Sequence, residues 1–125
     1  MATVLYVDDE DGIRRAVVIW LTRRGHVVHA AATLGAARDL LRSEAIDGAF
    51  IDLWLAGESG LELQDWIDEN RPELSGKVVF VTGDVGASGA TTGPLAALGR
   101  PVMAKPFDLD QLDAYVAAWT VPRPI

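Results

Sequence analysis

Cysteine is absent from this chain of 125 residues, which excludes disulfides and thiolate metal sites. No uncharged apolar stretch reaches membrane-spanning length. No basic start leads into an apolar core and a small-residue cleavage site, so no secretory signal is visible. There is no internal repeat and no long low-complexity tract. Positive charge is the minority: 11 Lys and Arg stand against 18 Asp and Glu, for a net charge of −7. That balance argues against nucleic acid as a direct partner, which needs a basic surface. It also argues against an anionic membrane surface. These traits fit a cytoplasmic protein.

Apolar material is plentiful. Half the residues are hydrophobic, enough for a core that folds alone. The length suits one domain, expected over residues 1–121, with a short Pro-containing tail over 122–125. Five apolar runs have strand character: Thr3–Val7, Val27–Ala31, 49–53, Val78–Thr82 and 101–104. Several are nearly continuous in apolar residues, as strands covered on both faces are. Helical patterns lie between them. Ile13, Ala16, Val17, Trp20 and Leu21 recur at helical spacing, with Gly25 as a stop. Leu34, Ala37, Leu40 and Leu41 follow Thr33, an N-cap. Ser59 and Glu62 have capping-box spacing ahead of Leu63, Trp66 and Ile67. Asp108 can cap a last helix carrying Leu109, Leu112, Val116 and Trp119. The fourth connection differs, because residues 83–93 hold four glycines and many small residues. Glycine costs roughly 1 kcal/mol in a helix interior relative to alanine, so a long loop and only a short helix over 94–98 are expected.

Alternating strands and helices imply an α/β fold, a parallel sheet with helices on both faces. Ligands of such sheets sit outside the carboxyl ends of the strands. The residues there are Asp8 and Asp9 after the first strand, Asp52 near the end of the third, Thr82 at the end of the fourth and Lys105 after the fifth. The second strand contributes nothing and is the edge candidate.

Carboxylates converging in a small volume favour a hard divalent cation, and Mg²⁺ takes oxygen ligands while keeping several waters. Aspartate can accept a phosphoryl group as an acyl phosphate. Phosphoryl transfer needs positioning and neutralisation of the equatorial oxygens, which a cation and the Lys105 ammonium can supply. The Thr82 hydroxyl can donate to a phosphoryl oxygen. Taken singly, each residue has an ordinary explanation. An Asp pair after a strand caps helices, a lone Asp makes turns, Thr suits strands and Lys is commonly solvated. Asp52 is harder to dismiss, since a charge inside the apolar run 49–53 is costly unless paired. The four signals in this order on alternating elements are far more specific than any one.

These segments carry a resemblance. Val4, Leu5, Tyr6, Val7, Asp8, Asp9 and Glu10 resemble the first strand and acidic pair of the two-component response-regulator receiver family. Ala49, Phe50, Ile51, Asp52 and Leu53, with Gly60 eight residues beyond the Asp, resemble its phosphoacceptor strand and loop. Val79 to Gly83 resemble its switch strand, and Lys105, Pro106 and Phe107 its Lys-Pro-Phe signature. The likeness runs over about 4–119. The Thr-Gly-Asp at 82–84, the small-residue loop and residues 99–102 look most like receivers of hybrid histidine kinases.

The resemblance implies a flavodoxin-like, doubly wound, five-stranded parallel sheet of order 2-1-3-4-5, its fourth helix short or irregular. It implies that Asp52 is the phosphoacceptor. Asp9, Asp52 and the backbone carbonyl of Trp54 would bind Mg²⁺, with Asp8 acting directly or through a metal-bound water. Lys105 would pair with the phosphoryl group and Thr82 would bond it and move. The Lys105–Pro106 peptide would be cis. The donor would be a phosphohistidine on a histidine kinase or histidine phosphotransfer protein. The protein would be a switch that takes up and hydrolyses its own phosphoryl group, not a metabolic enzyme. It would be a stand-alone receiver or a piece of a larger protein such as a hybrid kinase.

Some positions depart from the family's common pattern. Val102 stands where many members have a Tyr or Phe whose rotamer follows the threonine. Ala56, followed by Gly57, stands where a proline is usual. With the aromatic missing, ordering of residues 83–93 is the expected route of output. Among rivals, the Gly83, Gly86 and Gly89 spacing is not a dinucleotide fingerprint and lacks the Lys-Ser/Thr of a P-loop. A haloacid-type phosphatase needs a second Asp where Trp54 stands. The remaining alternative is a pseudo-receiver, the same fold kept as a phosphorylation-independent protein-binding module. His26 and His29 read as structural.

Overall fold

The computed structural model describes residues 1–83 and 100–120. The expected loop beyond Gly83, the short helix over 94–98, Asp84 and the tail over 122–125 lie outside the described residues. The first three strands are Thr3–Val7 (β1), Val27–Ala31 (β2) and Gly48–Asp52 (β3). A small hairpin, Trp54–Leu55 (β4) and Glu58–Ser59 (β5), follows β3 directly. The last strands are Val78–Thr82 (β6) and Val102–Ala104 (β7). The helices are Asp11–Arg23 (α1), Leu34–Ser43 (α2), Leu61–Asn70 (α3) and Gln111–Trp119 (α4), with one 3₁₀ turn at Pro72–Leu74.

The main sheet is parallel throughout, in the order β2-β1-β3-β6-β7. Leaving the hairpin aside, this is the expected order 2-1-3-4-5, with the second strand at one edge. Side chains alternate between its faces. Leu5, Val7, Ala49, Ile51, Val78 and Phe80 meet Leu34, Ala37 and Leu41 of α2 and Leu63 and Ile67 of α3. On the other face Val4, Tyr6, Phe50, Val79 and Val81 meet α1 and α4 through Val17, Leu21, Leu112, Val116 and Trp119. That double cover is why β1, β3 and β6 read as unbroken apolar runs. β2 buries fully only Ala31, as an edge strand allows.

Local signals mark most helix ends. The Thr33 side chain accepts from the Ala36 N–H at 3.1 Å, and Gly25 takes φ +87 just beyond α1, the left-handed position glycine favours. The capping box at Ser59 is corrected. Ser59 pairs with Trp54 inside the hairpin, so α3 starts later, with Gly60 as its N-cap, and the Ser59 hydroxyl accepts from the Leu61 N–H instead. The cap expected at Asp108 is also corrected. α4 starts at Gln111 with Asp110 as its N-cap and no side-chain cap bond, because i to i+3 turns from Asp108 and Leu109 come first, and the Asp108 N–H donates to the Gln111 side-chain oxygen at 3.0 Å.

The hairpin turn at Ala56 and Gly57 has φ +48 and +87, the all-positive pattern of a two-residue type I′ turn. A residue with a Cβ costs roughly 1–2 kcal/mol in that region, so the turn carries a local penalty at Ala56. Two other glycines are required by close approach. A Cβ on Gly48 would lie 2.2 Å from the Trp119 ring, and one on Gly60 would lie 2.2 Å from the Asp52 carbonyl oxygen.

Candidate functional site

The rim at the carboxyl ends of the strands is where the charges gather. Asp8 follows β1, Asp52 ends β3, Thr82 ends β6 and Lys105 follows β7. Parallel pairing at matched register brings these ends side by side. The Lys105 N–H donates to the Thr82 carbonyl at 2.8 Å, which ties the lysine's backbone to the β6 end. The Lys105–Pro106 peptide is cis.

Lys105 is the hub. Its Nζ lies 2.8 Å from Asp52 Oδ2, 3.0 Å from Asp8 Oδ2 and 3.1 Å from Glu10 Oε1. Asp52 Oδ1 accepts from the Trp54 N–H at 3.0 Å. Asp8 is fully buried, and its oxygens accept from the Glu10 N–H at 2.9 Å and from the Tyr6 hydroxyl at 3.0 Å. The Arg14 guanidinium donates to the Asp8 carbonyl at 2.8 Å. Asp9 is exposed, and its Oδ2 accepts from the Ala56 N–H at 3.0 Å. Thr82 is buried at the same rim.

The electrostatics follow from burial. Burial raises the Asp52 carboxyl above its ordinary value, the Lys105 ammonium and Trp54 N–H oppose the rise, and Asp8 adds to it. Burial alone would lower Lys105, but its bonds to Asp52 and Asp8 outweigh that and hold the ammonium well above its usual value. Burial, and then the charge of Asp8, push the Tyr6 hydroxyl far up, so it remains a donor. Asp8, Glu10 and Asp52 surround the Lys105 ammonium, and Asp9 stands beside Asp8 and Asp52, so acidic groups outnumber the lysine at the rim, an arrangement that invites a cation.

The donor set suits Mg²⁺. Asp8, Asp9 and Asp52 each offer a carboxylate oxygen, and these atoms lie within 4.8 Å of one another. Octahedral ligands at about 2.1 Å from a metal stand about 3 to 4.2 Å apart, so little inward movement is needed. All are hard oxygen donors, and no thiolate or imidazole is present in the set.

Every site residue expected from the sequence is at this rim. Sequence reasoning missed Tyr6, Glu10 and Arg14, and it missed the hairpin. Tyr6 read as a core residue because its ring faces the apolar layer, near Phe50 at 6.2 Å between centroids. Only its hydroxyl reaches the rim. Gly57 was the one available signal for the hairpin turn. Val102 is half-buried against the α2 and α3 layer.

The comparisons with known proteins point one way. The family model described as "Response regulator receiver domain" matches residues 4–117. The response regulator protein PilR of Pseudomonas aeruginosa is 33% identical over 113 residues, 90% of this chain and 25% of that protein. This chain thus spans about a quarter of PilR. Among solved structures, the non-phosphorylated HemR receiver domain from Leptospira biflexa is similar at a TM-score of 0.79 and 26% identity, over 100% of this chain and 99% of that one. A response regulator from Burkholderia pseudomallei, solved with a phosphorylated aspartic acid, a calcium ion and citrate, is similar at a TM-score of 0.78 and 27% identity, over 92% of this chain and 66% of that one. Among the described residues, no helix is long and apolar enough to cross a membrane.

Proposed function

The chain belongs to the response regulator receiver domain family, a family of signalling modules of two-component systems, and from that premise we propose that Asp52 accepts a phosphoryl group with Mg²⁺ and so switches the protein. The observation that carries the reading is the placement of a buried carboxylate between Lys105 and an acidic cluster with net negative charge. The phosphorylated aspartic acid and calcium ion of the B. pseudomallei regulator support it by likeness.

Asp8, Asp9 and Asp52 would hold the metal, with the Trp54 carbonyl as a further ligand. When bound, Mg²⁺ would neutralise part of the charge on the transferring phosphoryl oxygens and favour the ionised form of Asp52. The remaining work falls to the chain. The Trp54 N–H and Lys105 fix the two Asp52 oxygens, so the carboxylate meets the phosphorus in one orientation. An Asp52 oxygen bonds to phosphorus as the bond from phosphorus to the donor's imidazole nitrogen breaks, and the imidazole leaves. Lys105 then moves from Asp52 Oδ2 to the incoming phosphoryl oxygens, and the Thr82 hydroxyl donates to another. The donor is a phosphohistidine of a histidine kinase or phosphotransfer protein. The same residues support slow hydrolysis of the aspartyl phosphate. The receiver spans residues 1–121 and acts in the cytoplasm, alone or joined to other domains.

Intact mass after incubation with acetyl phosphate tests the reading. A gain of about 80 Da, one phosphoryl group, is expected with Mg²⁺, and is expected to vanish in EDTA and in Asp52→Asn. Beryllofluoride with Mg²⁺ should bind where acetyl phosphate is hydrolysed too fast to accumulate. No mass gain together with no beryllofluoride binding would overturn the reading in favour of a phosphorylation-independent protein-binding module, the role that Val102 in place of an aromatic would suit.

A further inference from the structure

The acidic residues of the rim are not held alike. Asp8 is buried and bonded by Tyr6, Lys105 and the Glu10 N–H. Asp52 is held by Lys105 and the Trp54 N–H. Asp9 is exposed, and the contact that restrains it reaches across 47 residues of sequence to the Ala56 N–H, at 3.0 Å. That N–H belongs to the tip of the β4–β5 hairpin, where Ala56 sits at φ +48, a region disfavoured for a residue with a Cβ. A proline at this position would have no N–H to give. Leu55, beside Ala56, is buried and anchors the hairpin to the core.

We propose that Ala56 is a positioning residue for the metal site: its amide in the type I′ turn holds the Asp9 carboxylate ready to ligate, so turn stability and Mg²⁺ affinity rise and fall together. The proposal rests on the acidic cluster being the Mg²⁺ site. An exposed carboxylate must give up side-chain freedom to ligate, and a hydrogen bond from a fixed amide removes that freedom beforehand. Apparent affinity scales with the fraction of molecules in the competent arrangement. By linkage, metal bound at Asp9 stabilises the closed turn to the same degree. The turn residues therefore act on metal binding without touching the metal.

The test uses the full chain and two readouts, the Mg²⁺ Kd from tryptophan fluorescence and amide exchange at Ala56 in EDTA. Asn-Gly is the preferred pair for this turn because Asn tolerates positive φ, so Ala56→Asn should lower the Mg²⁺ Kd by about twofold. Gly57→Ala puts a Cβ at φ +87 and should raise the Kd by roughly three- to fivefold. In metal-free protein, Asp9→Ala should speed exchange at Ala56 several-fold. The proposal is overturned if wild type binds Mg²⁺ and Asp9→Ala does not, yet both turn variants match wild type or shift the same way. Unchanged Ala56 exchange in Asp9→Ala overturns it directly. Exchange that depends on Asp9 in a protein that binds no Mg²⁺ overturns the metal reading, and the coupling with it.

Discussion

Replacing Lys105 with methionine keeps most of the side chain's volume and removes its charge. The Lys105 side chain is only 10% exposed, and it faces Asp8 at 0% and Asp52 at 7%. Taking one partner from a buried ion pair costs about 3–5 kcal/mol, because a charge remains buried without compensation. Two effects reduce that figure here. Methionine recovers the desolvation cost of burying an ammonium, and Glu10, at 58% exposed, contributes no more than an ordinary surface pair of about 0–1 kcal/mol. A loss of about 3 kcal/mol is expected in EDTA near pH 8, measured by urea unfolding. Asp52→Asn removes one of the stranded charges, so Lys105→Met in that background should cost about 1–2 kcal/mol, leaving a coupling of at least about 1 kcal/mol in the double-mutant cycle. The penalty should shrink toward pH 5.5. A buried carboxylate deprived of its cation has a folded-state pKa above its unfolded one, so it gains stability as pH falls. Mg²⁺ at about ten times its Kd should restore about 1.4 kcal/mol to the single variant. A Lys105→Met protein within about 0.5 kcal/mol of wild type, or a coupling of that small size, would refute the description of Lys105 as a buried hub.

Two further outcomes follow from particular contacts. Gly60→Ala places a Cβ against the Asp52 carbonyl and should cost about 1–3 kcal/mol by overpacking; because it displaces Asp52 itself, the rate of mass gain from acetyl phosphate should fall, and an unchanged rate would show that the loop yields instead. His26 accepts the Ala2 N–H on Nδ1 at 3.1 Å, and burial lowers its pKa. The unfolded histidine then binds the proton more readily, so its share of stability is whole above about pH 6.5 and is lost as pH falls through that value toward the folded one. His26→Gln should flatten the decline of stability between pH 7.5 and 5.5, and a parallel decline in both proteins would assign it elsewhere.

Much of the fold was legible because its signals are local. Apolar runs at 3–7, 49–53 and 78–82 are nearly continuous because both sheet faces are covered, the middle one lying one residue beyond the strand Gly48–Asp52, and stripes at helical spacing mark α1 and α2. Thr33 and Gly25 set helix ends through their own side chain or backbone, within one turn of chain. The rim residues could be chosen from sequence because parallel strands all end on one edge, so a residue's place after its strand fixes its place at the site.

What tertiary structure decided was how those residues are held. Nothing local distinguishes Asp8 from Asp9, yet one is buried under Tyr6 and Lys105 and the other is exposed and latched to Ala56. Glu10 lies 95 residues from Lys105 in the chain and becomes its partner only through the order of the strands. Gly48 gave no sign that it leaves room for the Trp119 ring. Apart from the bond between Tyr6 and Asp8, two residues apart, these contacts join residues far apart in sequence or depend on the handedness of one turn. A periodic pattern encodes which face a side chain occupies, but the partner waiting on that face is set by the register and packing of the whole sheet.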